Sequence, residues 1–94
     1  MGVTRLSGTL TCADAREAAL VRSLLPAHVA ATRAEPGCLS FRVDPTDDPL
    51  VWTVEEAFAD EDAFRAHQAR TRESRWGRDT AAITRDYQIH RDGG

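Results

Sequence analysis

Two side chains are placed to do proton chemistry together. One is His67, in a stretch from Ala63 to Trp76 otherwise crowded with arginine; the other is Glu56, a carboxylate interrupting the apolar series Trp52, Val54, Phe58. Imidazole is the side chain whose ordinary pKa lets it take or give a proton near pH 7. A carboxylate set among apolar neighbours must find a partner or hold its proton. His67 shares a helical face with Phe64, and that face should pack on the strand carrying Glu56, so the two groups can meet. Trp76 and Tyr87 would add aromatic walls and Arg72 a positive charge. Trp52, Phe64 and His28 are further candidates for the lining of a substrate pocket. Each residue has a plainer reading beside this one. An inward histidine or glutamate can be a satisfied structural group, and either tryptophan can simply fill the core.

Other chemistries are narrowed by what the chain lacks. All 12 basic residues are arginine, and there is neither lysine nor asparagine, so no Schiff base can form and no asparagine amide can stabilise an oxyanion. A net charge of −3 argues against a nucleic-acid partner, which requires a basic surface. No glycine-rich nucleotide loop, HExxH or paired CxxC motif occurs, and His28, His67 and His90 are too scattered to read as a metal site. No protein-bound metal or organic cofactor is therefore expected. Cys12 and Cys38, without a visible secretory signal, read as reduced thiols. No apolar run approaches the ~18 residues of a membrane span, so a cytoplasmic location away from membranes is expected.

The elements that must position these groups follow from periodicity. Val3 to Cys12 alternates as a strand, with Leu6, Gly8, Leu10 and Cys12 on one face. Asp14 caps a helix whose stripe is Ala18, Val21, Leu25, His28, Val29 and Thr32. Pro26 predicts a kink near Leu25 or a restart there. "AEPGC" stops the helix, with Gly37 in a turn conformation. Cys38 to Val43 alternates again, placing Leu39, Phe41 and Val43 together, and "DPTDDP" is a turn. A third strand spans Leu50 to Phe58. A helix capped by Asp60 turns Ala63, Phe64, His67 and Thr71 inward and breaks before "SRWG", and Ile83 to His90 forms the last strand.

The order strand, helix, strand, strand, helix, strand predicts an α+β, ferredoxin-like fold with a four-stranded antiparallel sheet. One domain spans residues 1–94, its core from about 4 to 90 and a frayed tail at 91–94. Two helices cover one face of the sheet. The other face, with Val51 and Ala57 among polar residues, predicts a homodimer, since so small a chain has nothing left to cover it.

"TRAEPGCLSF" followed by "DPLVWTVEEAFADEDAFRAHQ" resembles the antibiotic biosynthesis monooxygenase family, over about Thr4 to Ile89. The resemblance rests on EPGC, Glu56 before the aromatic Phe58, and His67, at their mutual spacings. It implies a dimeric α+β barrel that oxidises a hydroquinone or phenolic small molecule with molecular oxygen as co-substrate, without metal or flavin. On that reading His67 is the base and Glu56 orients it, while Trp76 and Tyr87 wall the pocket and Arg72 stabilises phenolate or superoxide charge. Thr71, Arg72 and Glu73 stand where many relatives carry a second histidine, Phe58 stands where the family has tryptophan, and the asparagine of haem-degrading relatives is absent. A non-catalytic domain binding a small aromatic ligand, or an isomerase or lyase, would use the same pocket.

Overall fold

The structure, a computed structural model, describes residues 2–92. Its elements are β1 (Thr4–Thr11), α1 (Ala15–Arg33), β2 (Cys38–Pro45), β3 (Val51–Phe58), α2 (Glu61–Glu73), α3 (Arg75–Asp79) and β4 (Thr84–Arg91). The strands form one antiparallel sheet in the order β2-β3-β1-β4, which is the expected ferredoxin-like arrangement. Leu6 lies opposite Glu56, and Gly8 opposite both Val54 and Tyr87, so the central strands bring the alternating inward residues into rows. Leu6, Leu10, Trp52, Val54 and Phe58 from the sheet meet Ala18, Val21, Phe64 and Trp76 from the helices in a single core.

Local chemistry fixes the helix starts. The Asp14 carboxylate accepts from Glu17 N–H at 2.9 Å while Glu17 accepts from Ala13 N–H at 2.7 Å, and Asp60 accepts from Ala63 N–H at 2.8 Å. Each bond satisfies a backbone donor that a helix start leaves unpaired. Pro26 does not interrupt α1, which is continuous from Ala15 to Arg33, so the helix does not restart there. Both Pro26 and Arg22, the residue whose carbonyl loses its donor, are exposed, and water can serve that carbonyl.

Two further departures concern β2 and the C-terminal end. A register irregularity between Cys38 and Ser40 turns Leu39 outward, leaving it 58% exposed, while Phe41 is buried; the even alternation Leu39, Phe41, Val43 is thus broken by a bulge. Arg91 and Asp92 are not frayed. Arg91 pairs with Thr4 in the sheet and with the Glu61 carboxylate, and Asp92 N–H donates to Val3 at 2.9 Å. Gly93 and Gly94 lie outside the described residues.

Two glycines set the geometry beneath the site. Gly37 sits at φ 87°, and its carbonyl accepts from Ala59 N–H at 2.8 Å, docking the α1–β2 turn on the start of α2. At Gly77 a Cβ would lie 1.9 Å from the Thr71 carbonyl, so α3 approaches the end of α2 as only glycine permits. Ser74 joins the two helices: its hydroxyl donates to Thr71 O at 2.7 Å and accepts from Gly77 N–H at 3.1 Å. Trp76 is thereby carried inward.

Candidate active site

Between the sheet and the helices lies a cavity of about 270 Å³ lined by side chains from every strand and every helix. The sheet supplies Phe41, Val54, Glu56, Arg85 and Tyr87, while His28 projects from α1, His67 and Thr71 from α2, and Trp76 from α3. The 3.6-residue period puts His67 and Thr71 one turn apart on the same helical face, and strand alternation puts Glu56 on the floor with Val54.

His67 is the centre of this arrangement and is 3% exposed. Its Nδ1 is 2.9 Å from Oε1 of Glu35, in the turn after α1. Glu35 is ion-paired with Arg70, whose guanidinium also donates to Thr32 Oγ1 at 3.1 Å. A carboxylate can only accept, so the imidazole hydrogen belongs on Nδ1 and the lone pair on Nε2. Nε2 is 3.7 Å from Glu56 Oε1 and 3.5 Å from Thr71 Oγ1. The rings of Phe58, Phe41 and His28 surround it at centroid distances of 4.9, 5.9 and 6.1 Å. Burial among them lowers the His67 pKa, opposed by the Glu35 hydrogen bond and charge.

Glu56 responds to the same dry surroundings in the opposite sense. Burial, reinforced by the negative charge of Glu35, pushes its carboxyl up to about 7, and its Oε1 has no hydrogen-bond partner. Below about pH 7, therefore, Glu56 and His67 are not an ion pair despite their proximity. They are a neutral acid beside a neutral base, too far apart for a direct hydrogen bond. Burial also pushes Tyr87 up, keeping it a phenol. His28 is forced down to about 3, chiefly by burial, then by its coupling to His67, with which it cannot share a second charge, and by the guanidinium charges of Arg70 and Arg85. Its ring stacks on Trp76 with centroids 4.8 Å apart and planes 6° from parallel. Arg85 is fixed by hydrogen bonds to the carbonyls of Thr80 and Ile83 at 2.7 and 3.0 Å and to Thr80 Oγ1 at 2.8 Å.

Of the residues anticipated from sequence, Glu56, His67, Trp76, Tyr87 and His28 converge on the cavity. Arg72 does not: it is exposed, one residue beyond Thr71 and so turned away from the inward face, and the arginine that lines the cavity is Arg85. Phe64 packs under the site against Phe58 at 5.8 Å, and Trp52 lies in the core opposite Leu10 with one edge at a surface hollow beside Pro26. Glu35, Arg70 and Phe41 complete the site without any signal in the sequence that marks them for it. Glu35 sits in a turn, where no periodicity tells which way a side chain faces. Among the described residues no cluster of three or more metal-ligating side chains occurs, and no helix is long and apolar enough to cross a membrane.

A family profile described as antibiotic biosynthesis monooxygenase matches residues 7–76, a span that contains Glu35, Glu56, His67 and Trp76. The chain belongs to this family. Comparison with curated proteins gives no match. Among solved structures, a Deinococcus radiodurans protein assigned as an antibiotic biosynthesis monooxygenase superposes with a TM-score of 0.75 at 24% identity, covering 97% of this chain and 93% of that one. A Pseudomonas aeruginosa protein is 26% identical with a TM-score of 0.70, covering 97% and 92%. SnoaB, a cofactor-independent oxygenase from Streptomyces nogalater, has a TM-score of 0.71 at 16% identity, covering all of this chain and 96% of its own. The antibiotic biosynthesis monooxygenase family thus includes this ferredoxin-like chain, and at such identities the structural likeness speaks for the fold.

Proposed function

We propose that this family member is a cofactor-independent monooxygenase acting on a small phenolic compound with molecular oxygen, as a homodimer. The observation that carries the reading is His67: Glu35 holds its Nδ1 hydrogen, and its Nε2 lone pair borders the cavity next to Glu56. In that position His67 accepts the phenolic proton, and Glu35 stabilises the imidazolium that results, as the carboxylate of a hydrolase triad does. Neutral Glu56 can donate a hydrogen bond to the phenolate oxygen. The phenolate gives one electron to oxygen, and the resulting radical and superoxide combine at a ring carbon bearing hydrogen. Loss of water from that hydroperoxide leaves a carbonyl. One oxygen atom ends in the product and one in water, with all four electrons coming from the substrate. SnoaB's description as cofactor-independent supports chemistry without a resident cofactor. A partner subunit suits the second face of the sheet, which no helix of this chain covers.

Oxygen consumption on a panel of phenols and hydroquinones tests the proposal. Wild type should exceed buffer autoxidation and His67→Ala should return to it; wild-type rates equal to buffer would overturn the reading. Light scattering in solution tests the dimer. The pairing of a neutral acid with a neutral base also favours a second reading, proton transfer within a bound substrate without oxygen, and anaerobic exchange of substrate hydrogen for deuterium would support it.

A further inference from the structure

Two side-chain atoms among the described residues are fully buried without a hydrogen-bond partner, and both belong to residues lining the same cavity: Glu56 Oε1 and His28 Nδ1. Such atoms are rare because each costs about 1–3 kcal/mol when left without a partner. Their positions differ. Glu56 rises from the sheet floor, and His28 descends from α1 in the helical roof. His28 has no protein group to satisfy it, although its ring is tightly held: it stacks on Trp76 at 4.8 Å and meets the edge of Phe41 at 5.3 Å with planes at 85°. A histidine kept only to fill space would be better replaced by an aromatic hydrocarbon, which leaves no dry nitrogen. The cavity holds about 270 Å³, against about 150 Å³ for an apolar cavity that takes one benzene. One ring, or two fused rings, fits within it with its polar substituents.

We infer that His28 is a specificity-determining residue that hydrogen-bonds a second oxygen of the substrate, so the cavity selects a compact one- or two-ring aromatic carrying two oxygen substituents. The first oxygen meets His67 and Glu56, and the second meets His28. The neutral state of His28 suits this role, because an imidazole nitrogen can either accept from a hydroxyl or donate to a carbonyl as the ring passes from hydroquinone to quinone. This rests on the cavity being the substrate site, as proposed above, but it concerns binding and needs no oxygen chemistry.

The test is anaerobic binding, by calorimetry, of hydroquinone and phenol, and of 1,4-dihydroxynaphthalene and 1-naphthol. Wild type should favour the dioxygenated member of each pair by at least about tenfold, the cost of leaving the buried nitrogen unpaired. His28→Phe keeps the stack on Trp76 and should bind both members of a pair alike. His28→Gln, which restores a polar atom, should recover part of the preference. Equal binding of the pairs by wild type, preference undiminished in folded His28→Phe, or no binding of any of the four at millimolar concentration overturns the inference. The wild-type comparison needs no variant to fold. Discrimination without oxygen uptake would leave the His28 assignment standing while removing the monooxygenase reading. Oxygen uptake without discrimination would do the reverse.

Discussion

Nδ1 of His67 lies 2.9 Å from the carboxylate of Glu35, a residue thirty-two positions earlier in the chain. That contact fixes which imidazole nitrogen is free to face the cavity. Glu35→Gln removes the charge and lets either tautomer form, and it also releases Arg70 from its ion pair. Turnover should fall by roughly 10²- to 10⁴-fold with a smaller change in KM, since tautomer and imidazolium stabilisation are lost together. Steady-state kinetics check it, and a change in KM alone would assign Glu35 to binding.

Activity should depend on pH in a bell shape. The base must be unprotonated, and His67 titrates below its ordinary 6.5, so the acid limb falls in that lower range. The acid must be protonated, and Glu56 titrates at about 7, so activity should decline above neutrality. Glu56→Gln, still a donor, should flatten the alkaline limb. A kcat profile whose alkaline limb survives in this variant would remove Glu56 from the ionising pair.

Stability responds to the same two burials with opposite signs. Glu56 holds its proton in the folded state up to about 7, whereas its unfolded value is near 4.5. Folded protein therefore binds more protons between these values, and stability falls as pH rises across that window, by on the order of 3 kcal/mol for this group. His28 titrates near 3 when folded and 6.5 when unfolded, so its contribution is present above 6.5 and is lost as pH falls toward 3. Urea unfolding across this range should show His28→Phe gaining acid resistance and Glu56→Gln losing the decline toward neutrality.

Gly77→Ala should destabilise the protein by about 1–3 kcal/mol, because a methyl group at this position meets the Thr71 carbonyl. The displaced α3 carries Trp76 off His28. Thermal unfolding would register the loss, and near-ultraviolet circular dichroism the altered tryptophan.

Arg72→Ala should leave kcat and KM within about twofold of wild type, as expected of an exposed side chain away from the cavity. Arg85→Met should raise KM and lower stability, since it removes a cavity wall and three hydrogen bonds. Reversed outcomes would place the substrate's charge at the rim and not inside.

Period-two and period-3.6 patterns specify side-chain direction, and most of the anticipated residues that line the cavity are ones such patterns carry. Glu56 and Tyr87 fall on inward strand positions, and His28, His67 and Thr71 on inward helical ones. Outside the periodic stretches the pattern fixes no direction, although Trp76, beyond the end of α2, also reaches the cavity. Glu35 belongs to a turn whose visible signal was only that a helix ends there. Arg72 follows Thr71 by one residue, which on a helix is about a 100° rotation, enough to leave the face. Leu39 was misplaced by a bulge, which shifts alternation by one and leaves no mark in hydrophobicity. Pro26 carries an intrinsic cost inside α1, but exposure lets water serve the Arg22 carbonyl that lost its donor, so the helix continues.

The parallel stack of Trp76 on His28 gives the chain a built-in optical gauge. Of the two tryptophans, Trp76 borders the cavity and Trp52 does not, so a ring entering the site must alter the indole emission of one while the other stays constant. Occupancy can thus be followed in real time without a label. It can also be followed in oxygen-free solution, where a substrate would sit bound and unreacted.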